Sequence, residues 1–156
     1  MFACGTGTTA FYVNKHMNEN FQKRRIEVVA VPCVGDELYL QQQMRLFEEE
    51  GKTCTLPEVI TACPKRAFAN PYQFHFKIWQ HLCASTKIDF DLLYAPRVFE
   101  ILLHSCGVRE HSSEDQMSTG LRNLFSNHNI LYYHCGGVEA NESQLARYQY
   151  ASNRGS

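Results

Sequence analysis

Ile26-Glu27-Val28-Val29-Ala30-Val31-Pro32-Cys33-Val34 is the stretch that decides the fold. It is β-branched almost throughout and apolar on both faces, the pattern of a strand covered on both sides at the centre of a parallel sheet. Gly35-Asp36 ends the strand, and Asp36 is placed to cap a helix over Glu37 to Glu50, with an imperfect apolar stripe at Leu38, Leu40, Met44 and Phe47 before Gly51. On the other side, Met1 to Cys4 reads as a short strand. After the turn CGTGTT, Ala10 to Asn20 carries Phe11, Val13 and Met17 at intervals that suit a helix.

The same rhythm continues downstream. Lys52 to Tyr72 is punctuated by proline and reads as a long loop with a short strand around Val59 to Ala62. Phe74 to Thr86 returns to helical spacing through Phe76, Trp79 and Leu82. Asp91 to Tyr94 reads as a short strand, Pro96 to Cys106 as a proline-initiated helix closed by Gly107, and His111 to Gln116 as a polar turn. Met117 to Ser126 is a further helix, Ile130 to His134 a strand, and Glu142 to Tyr150 a last helix. Alternation of this kind predicts an α/β protein, a three-layer, mostly parallel sheet flanked by helices, with ligands bound beyond the carboxyl ends of the strands. Residues 1–150 are expected to form one domain and residues 151–156 a disordered tail.

Composition narrows the function classes. The chain has 156 residues, 44% hydrophobic and 20% charged, enough for one domain with a real core. Its net charge is −1, and the only basic run is Lys23-Arg24-Arg25, so a nucleic-acid partner is not expected. No apolar stretch approaches the length that crosses a bilayer, and the start lacks the basic-then-apolar order of a signal peptide. A cytoplasmic protein without a membrane partner is the expectation. Seven cysteines form no C-x-x-C pair, and His81-x-Cys83, His104-x-Cys106 and His134-Cys135 do not have the spacing of a zinc module. Neither a disulfide nor a metal is expected.

Two turns carry chemistry. In CGTGTT, glycines let backbone N–H groups converge on an anion at a helix N-terminus, and Thr6, Thr8 and Thr9 add hydroxyls. Gly5, Gly7 and Ala10 also spell G-x-G-x-x-A, a dinucleotide fingerprint, although the next strand ends VPCVG without the acidic residue a ribose requires. The threonine density favours a terminal phosphomonoester over a pyrophosphate, and a turn with no ligand stands beside both readings. The second turn, His134-Cys135-Gly136-Gly137, also follows an expected strand and is a candidate for the same crevice.

Four segments in order, CGTGTTA, VVAVPCVGDELYLQQQM, FDLLYAPRVFEILL and ILYYHCGGVEANESQLARY, resemble the C-terminal half of the tryptophan synthase β-like (fold type II) pyridoxal-phosphate enzymes. The nearest branch is that of 1-aminocyclopropane-1-carboxylate deaminase and D-cysteine desulfhydrase. The resemblance implies that Gly5, Thr6, Gly7, Thr8 and Thr9 are the cup for the phosphate of pyridoxal phosphate. It implies that Tyr94 is a catalytic phenol near a small amino-acid substrate, with a core tyrosine as the plain alternative. It places Cys135 near the pyridine nitrogen, with a buried structural thiol as the alternative. Tyr12 and Ala95 depart from the pattern, standing where relatives commonly have a glycine and a carboxylate.

In that family the lysine that anchors the cofactor lies far upstream of the cup, and none of Lys15, Lys23, Lys52, Lys65, Lys77 or Lys87 stands in its context. The expectation is therefore a truncated domain that holds the cofactor's phosphate and is inactive alone. Such a piece would form homo-oligomers or dock on a full-length relative. A non-catalytic interaction or regulatory module and a Rossmann dinucleotide-binding domain are the alternatives.

Overall fold

A computed structural model describes residues 1–21, 23, 26–51, 53–60, 64–127 and 129–154. The chain divides into two compact units, Met1–Phe68 and Ala69–Ser156.

The first unit is built on a small open sheet of three parallel strands. Strands β1 (Phe2–Cys4), β2 (Val29–Pro32) and β3 (Glu58–Val59) lie in that order. Phe2 stands opposite Ala30 and Cys4 opposite Pro32, while Val29 and Ala30 face Glu58 and Val59. The IEVVAVPCV segment is thus the central strand, shorter than its apolar run, with Ala30 and Val31 fully buried. Helix α1 (Thr8–Asn20) follows β1, and helix α2 (Glu37–Arg45) follows β2. Phe2, Cys4, Ala10, Phe11, Val28, Ala30, Leu40 and Met44 form one apolar core. Burial of the larger of these, the Phe, Val, Leu and Met side chains, stabilises by about 1.5–3 kcal/mol each.

Asp36 caps α2 as expected, its carboxylate accepting the Tyr39 N–H at 2.9 Å. The helix stops at Arg45, five residues short of the expected end. Leu46, Phe47 and Glu48 donate to carbonyls three residues back, which tightens the chain out of the α geometry. Glu48 then accepts from the Arg45 guanidinium and from the Cys54 N–H at 2.9 Å, drawing the following loop back. The strand expected around Val59 to Ala62 is β3, while residues 61–63 lie outside the described ones.

The second unit is helical among its described residues: α3 (Gln73–Thr86), α4 (Ala95–Ser105), α5 (Glu114–Asn127), a 3-10 turn over Val138–Ala140, and α6 (Asn141–Arg154). Phe74, Ile78 and Leu82 of α3 and Phe99 and Leu103 of α4 are buried at helical spacing. The end of α4 is sealed by Gly107 and Val108, whose N–H groups reach the His104 and Leu103 carbonyls at 3.1 and 3.0 Å. Helix α5 begins at Glu114, inside the expected polar turn. Ser113 and Gln116 exchange hydrogen bonds there, Gln116 N–H to Ser113 Oγ and Ser113 N–H to Gln116 Oε1, a reciprocal cap.

Two expected strands are replaced. Asp91 to Tyr94 is a turn, because the Asp91 carboxylate takes the N–H groups of Leu93, Tyr94 and Ala95 and starts α4 instead of leaving them to a ladder. Ile130 to His134 is extended, with Tyr133 in an isolated bridge. Its side chains do alternate: Leu131 and Tyr133 face outward, while the Tyr132 and His134 rings lie 6.2 and 5.3 Å from that of Phe90. The α/β class is therefore seen in the first unit, with the whole described sheet parallel. No described helix is long and apolar enough to cross a membrane.

Candidate functional site

The cup begins where β1 ends. Cys4 accepts the Cys33 N–H at 2.9 Å, so the turn after it sits beside the carboxyl end of the central strand, where parallel sheets bind their ligands. Gly7 is the N-cap of α1 in the left-handed region, φ +79°. A Cβ there would stand 2.7 Å from Met44 Cγ and 2.9 Å from Leu40 Cδ1, so glycine is required both for conformation and for the seat of the turn on α2. Gly7 provides no side chain to cap the helix, and no acidic residue lies in the first turn. First-turn N–H groups have no intrahelical partner and carry the positive end of the helix dipole. The hydroxyls of Thr6 and Thr8 lie 2.9 Å apart, and Thr6, Thr8 and Thr9 are all exposed. This donor set fits a phosphate group.

Two neighbours bear on the choice of ligand. Asp36, the acidic residue nearest the end of β2, is committed to capping α2. Lys15, on α1, pairs with Glu49 at 2.8 Å, and its ammonium is held charged chiefly by that hydrogen bond. Tyr12 points to solvent.

Tyr94 and Cys135 belong to the second unit, which is described by itself. Tyr94 is the half-buried N-cap residue of α4. Cys135 is exposed, its Sγ 3.8 Å from the Tyr133 carbonyl oxygen. The turn after it runs through Gly136 and Gly137, both with φ near +90°, and the Gly136 N–H donates to His134 Nδ1 at 2.9 Å. That bond leaves the His134 ring proton on Nε2 when the ring is neutral.

Asp91 joins the segments of these two residues, and no sequence motif singles it out as a site residue. It is buried, and its Oδ1 accepts from Tyr94 N–H at 2.5 Å and Leu93 N–H at 3.1 Å. Burial pushes its carboxyl above the usual aspartate range, against the pull of those N–H groups and of His134. The Cys135 thiol is pushed up as well, first by shielding of its sulfur and then by the Asp91 charge. Although the residue is exposed, its sulfur is no activated nucleophile.

Asn141 completes the arrangement. Its Oδ1 accepts the Leu92 N–H at 2.7 Å and its Nδ2 donates to the Phe90 carbonyl at 2.9 Å, clamping the start of α6 to the segment before α4. An aspartate four residues ahead of Ala95-Pro96 is a readable capping signal; Asn141 has no comparable local signature. Among the described residues, no group of three or more His, Cys, Asp or Glu side chains could hold a metal ion. No protein-family model matches the chain, and no curated protein matches it.

Proposed function

We propose that Gly5–Thr9 holds the phosphate of pyridoxal phosphate, and that the chain is a fold type II domain of the kind that cleaves C–N or C–S bonds in a small amino acid. The observation that carries this reading is the cup itself. A glycine-sealed turn at a strand's carboxyl end presents paired threonine hydroxyls over an uncapped helix N-terminus. The capping role of Asp36 counts against a dinucleotide, which needs an acidic side chain for its ribose.

On this reading Thr6, Thr8, Thr9 and the first-turn amides of α1 bind and orient the phosphate, and Gly7 keeps the turn low against α2. The cofactor, when bound, would supply the electron sink for negative charge developing at the substrate's α-carbon. The roles that the family resemblance implies for Tyr94 and Cys135 belong to the same proposal: a phenol able to hold or move a proton, and a thiol whose weak donation would leave a pyridine nitrogen largely unprotonated. The three-layer architecture belongs to the same proposal.

Titration of the chain with pyridoxal phosphate, with pyridoxal and with NAD tests it. Binding is expected for pyridoxal phosphate, weaker by about tenfold or more for pyridoxal, and lost in a Thr6→Ala/Thr8→Ala/Thr9→Ala variant. Binding of NAD without binding of pyridoxal phosphate overturns the reading. Borohydride reduction and peptide mapping then ask whether any of the six lysines anchors the aldehyde, with D-cysteine and 1-aminocyclopropane-1-carboxylate as substrates for turnover.

A further inference from the structure

Phe90 to Ala95 and His134 to Asn141 are far apart in the chain, yet three independent contacts fasten them. Asn141 bonds Phe90 and Leu92 from one side. The Phe90 and His134 rings lie 5.3 Å apart. At Gly137 a Cβ would lie 3.8 Å from the Asp91 Cβ, so the turn carrying Cys135 packs directly over the aspartate. Asp91 is 3% exposed at this junction, and its carboxylate is spent on the N–H groups that start α4.

We propose that Asp91 is a positioning residue of the candidate site: its carboxylate locks the backbone at Tyr94 against the turn that carries Cys135, so that the two segments bearing phenol and thiol keep one fixed spacing. The inference rests on the reading of Tyr94 and Cys135 as the residues that meet substrate and cofactor. A buried aspartate serving only as a helix cap would need no such neighbour. Here the capping oxygen takes the amides of Leu93, Tyr94 and Ala95 while the Gly137 end of the Cys135 turn packs on the same side chain. Among the described groups, Asp91 is the charged neighbour acting on Cys135, and His134 acts on Asp91 in turn.

Alkylation of Cys135 by iodoacetamide, followed across pH by mass spectrometry of its own peptide, reads this coupling in the chain as it stands. Asp91→Asn keeps an oxygen for the cap and removes the charge. The midpoint for Cys135 is expected to shift to lower pH, with that of the Cys106 peptide serving as the internal control. Asp91→Glu restores the charge and is expected to return the midpoint toward that of the parent chain. In Asp91→Ala, the amides of Leu93, Tyr94 and Ala95 are expected to exchange about fivefold faster or more, with those of α3 unchanged. An unmoved Cys135 midpoint in a folded Asp91→Asn chain overturns the inference, whether or not pyridoxal phosphate binds. A moved midpoint in a chain that fails to bind pyridoxal phosphate upholds the coupling and removes the cofactor reading instead.

Discussion

The two units solve burial differently. Met1–Phe68 buries aliphatic and aromatic side chains around a sheet, and the polar group in its interior, Asn14, is satisfied by the Thr55 carbonyl at 2.7 Å. Ala69–Ser156 buries ionisable groups: Glu100 is fully inaccessible, and it accepts from the Arg97 guanidinium and lies 3.0 Å from His75 Nε2. Asp91 adds a further buried carboxyl. An apolar core degrades in proportion to the volume removed, whereas a buried charge network fails when one member is taken away. The first unit should therefore tolerate substitution by degrees and the second by thresholds.

The sharpest way to break this contrast is Glu100→Gln, which takes from Arg97 and His75 the carboxylate they share. A loss of about 3–5 kcal/mol is expected in denaturant unfolding; a loss no greater than that of a surface substitution would remove the distinction. Leu40→Ala in the first unit should cost about 3 kcal/mol, and Leu40→Met under about 1.5, the graded response of an apolar core. Gly7→Ala meets both the left-handed backbone and the Met44 and Leu40 side chains, and should cost about 2 kcal/mol while weakening phosphate binding.

The pH dependence of Asp91 gives a smaller effect of definite sign. Its folded carboxyl titrates above its ordinary value, so between the two the folded state binds the extra proton. Stability from this group is greatest at low pH and falls as pH rises from the ordinary aspartate value through the raised one. Asp91→Asn should therefore compare better with the parent at neutral pH than near pH 3, measured as the difference in urea midpoint between the two chains. The smallest expected effect is favourable: Ala69 holds φ +60°, and Ala69→Gly should stabilise by about 1 kcal/mol.

The same contrast governs what could be read from the residues. IEVVAVPCV announces a central strand because both faces are apolar, and Asp36 announces a cap because its partner is three residues away. The cup is legible for the same reason, since its glycines and threonines are consecutive. DLLY looks like a strand by composition, but Asp91 offers its own backbone a better acceptor than a neighbouring strand would. The end of α2 was hidden because Glu48 is recruited by a loop residue, Cys54. Asn141 was invisible as a site residue because its partners lie 49 and 51 positions away, and no local pattern encodes that distance.

The Asn141 clamp has one more consequence. Asn141-Glu142-Ser143 spells the acceptor triplet for N-linked glycosylation. Both ends of that amide are already engaged, by Leu92 and Phe90, in the first turn of a helix. A glycan attached there would replace an amide hydrogen and crowd the clamp, on a helix rather than on the surface loop that normally carries one. In the folded chain the clamp and the modification that its letters invite compete for the same amide.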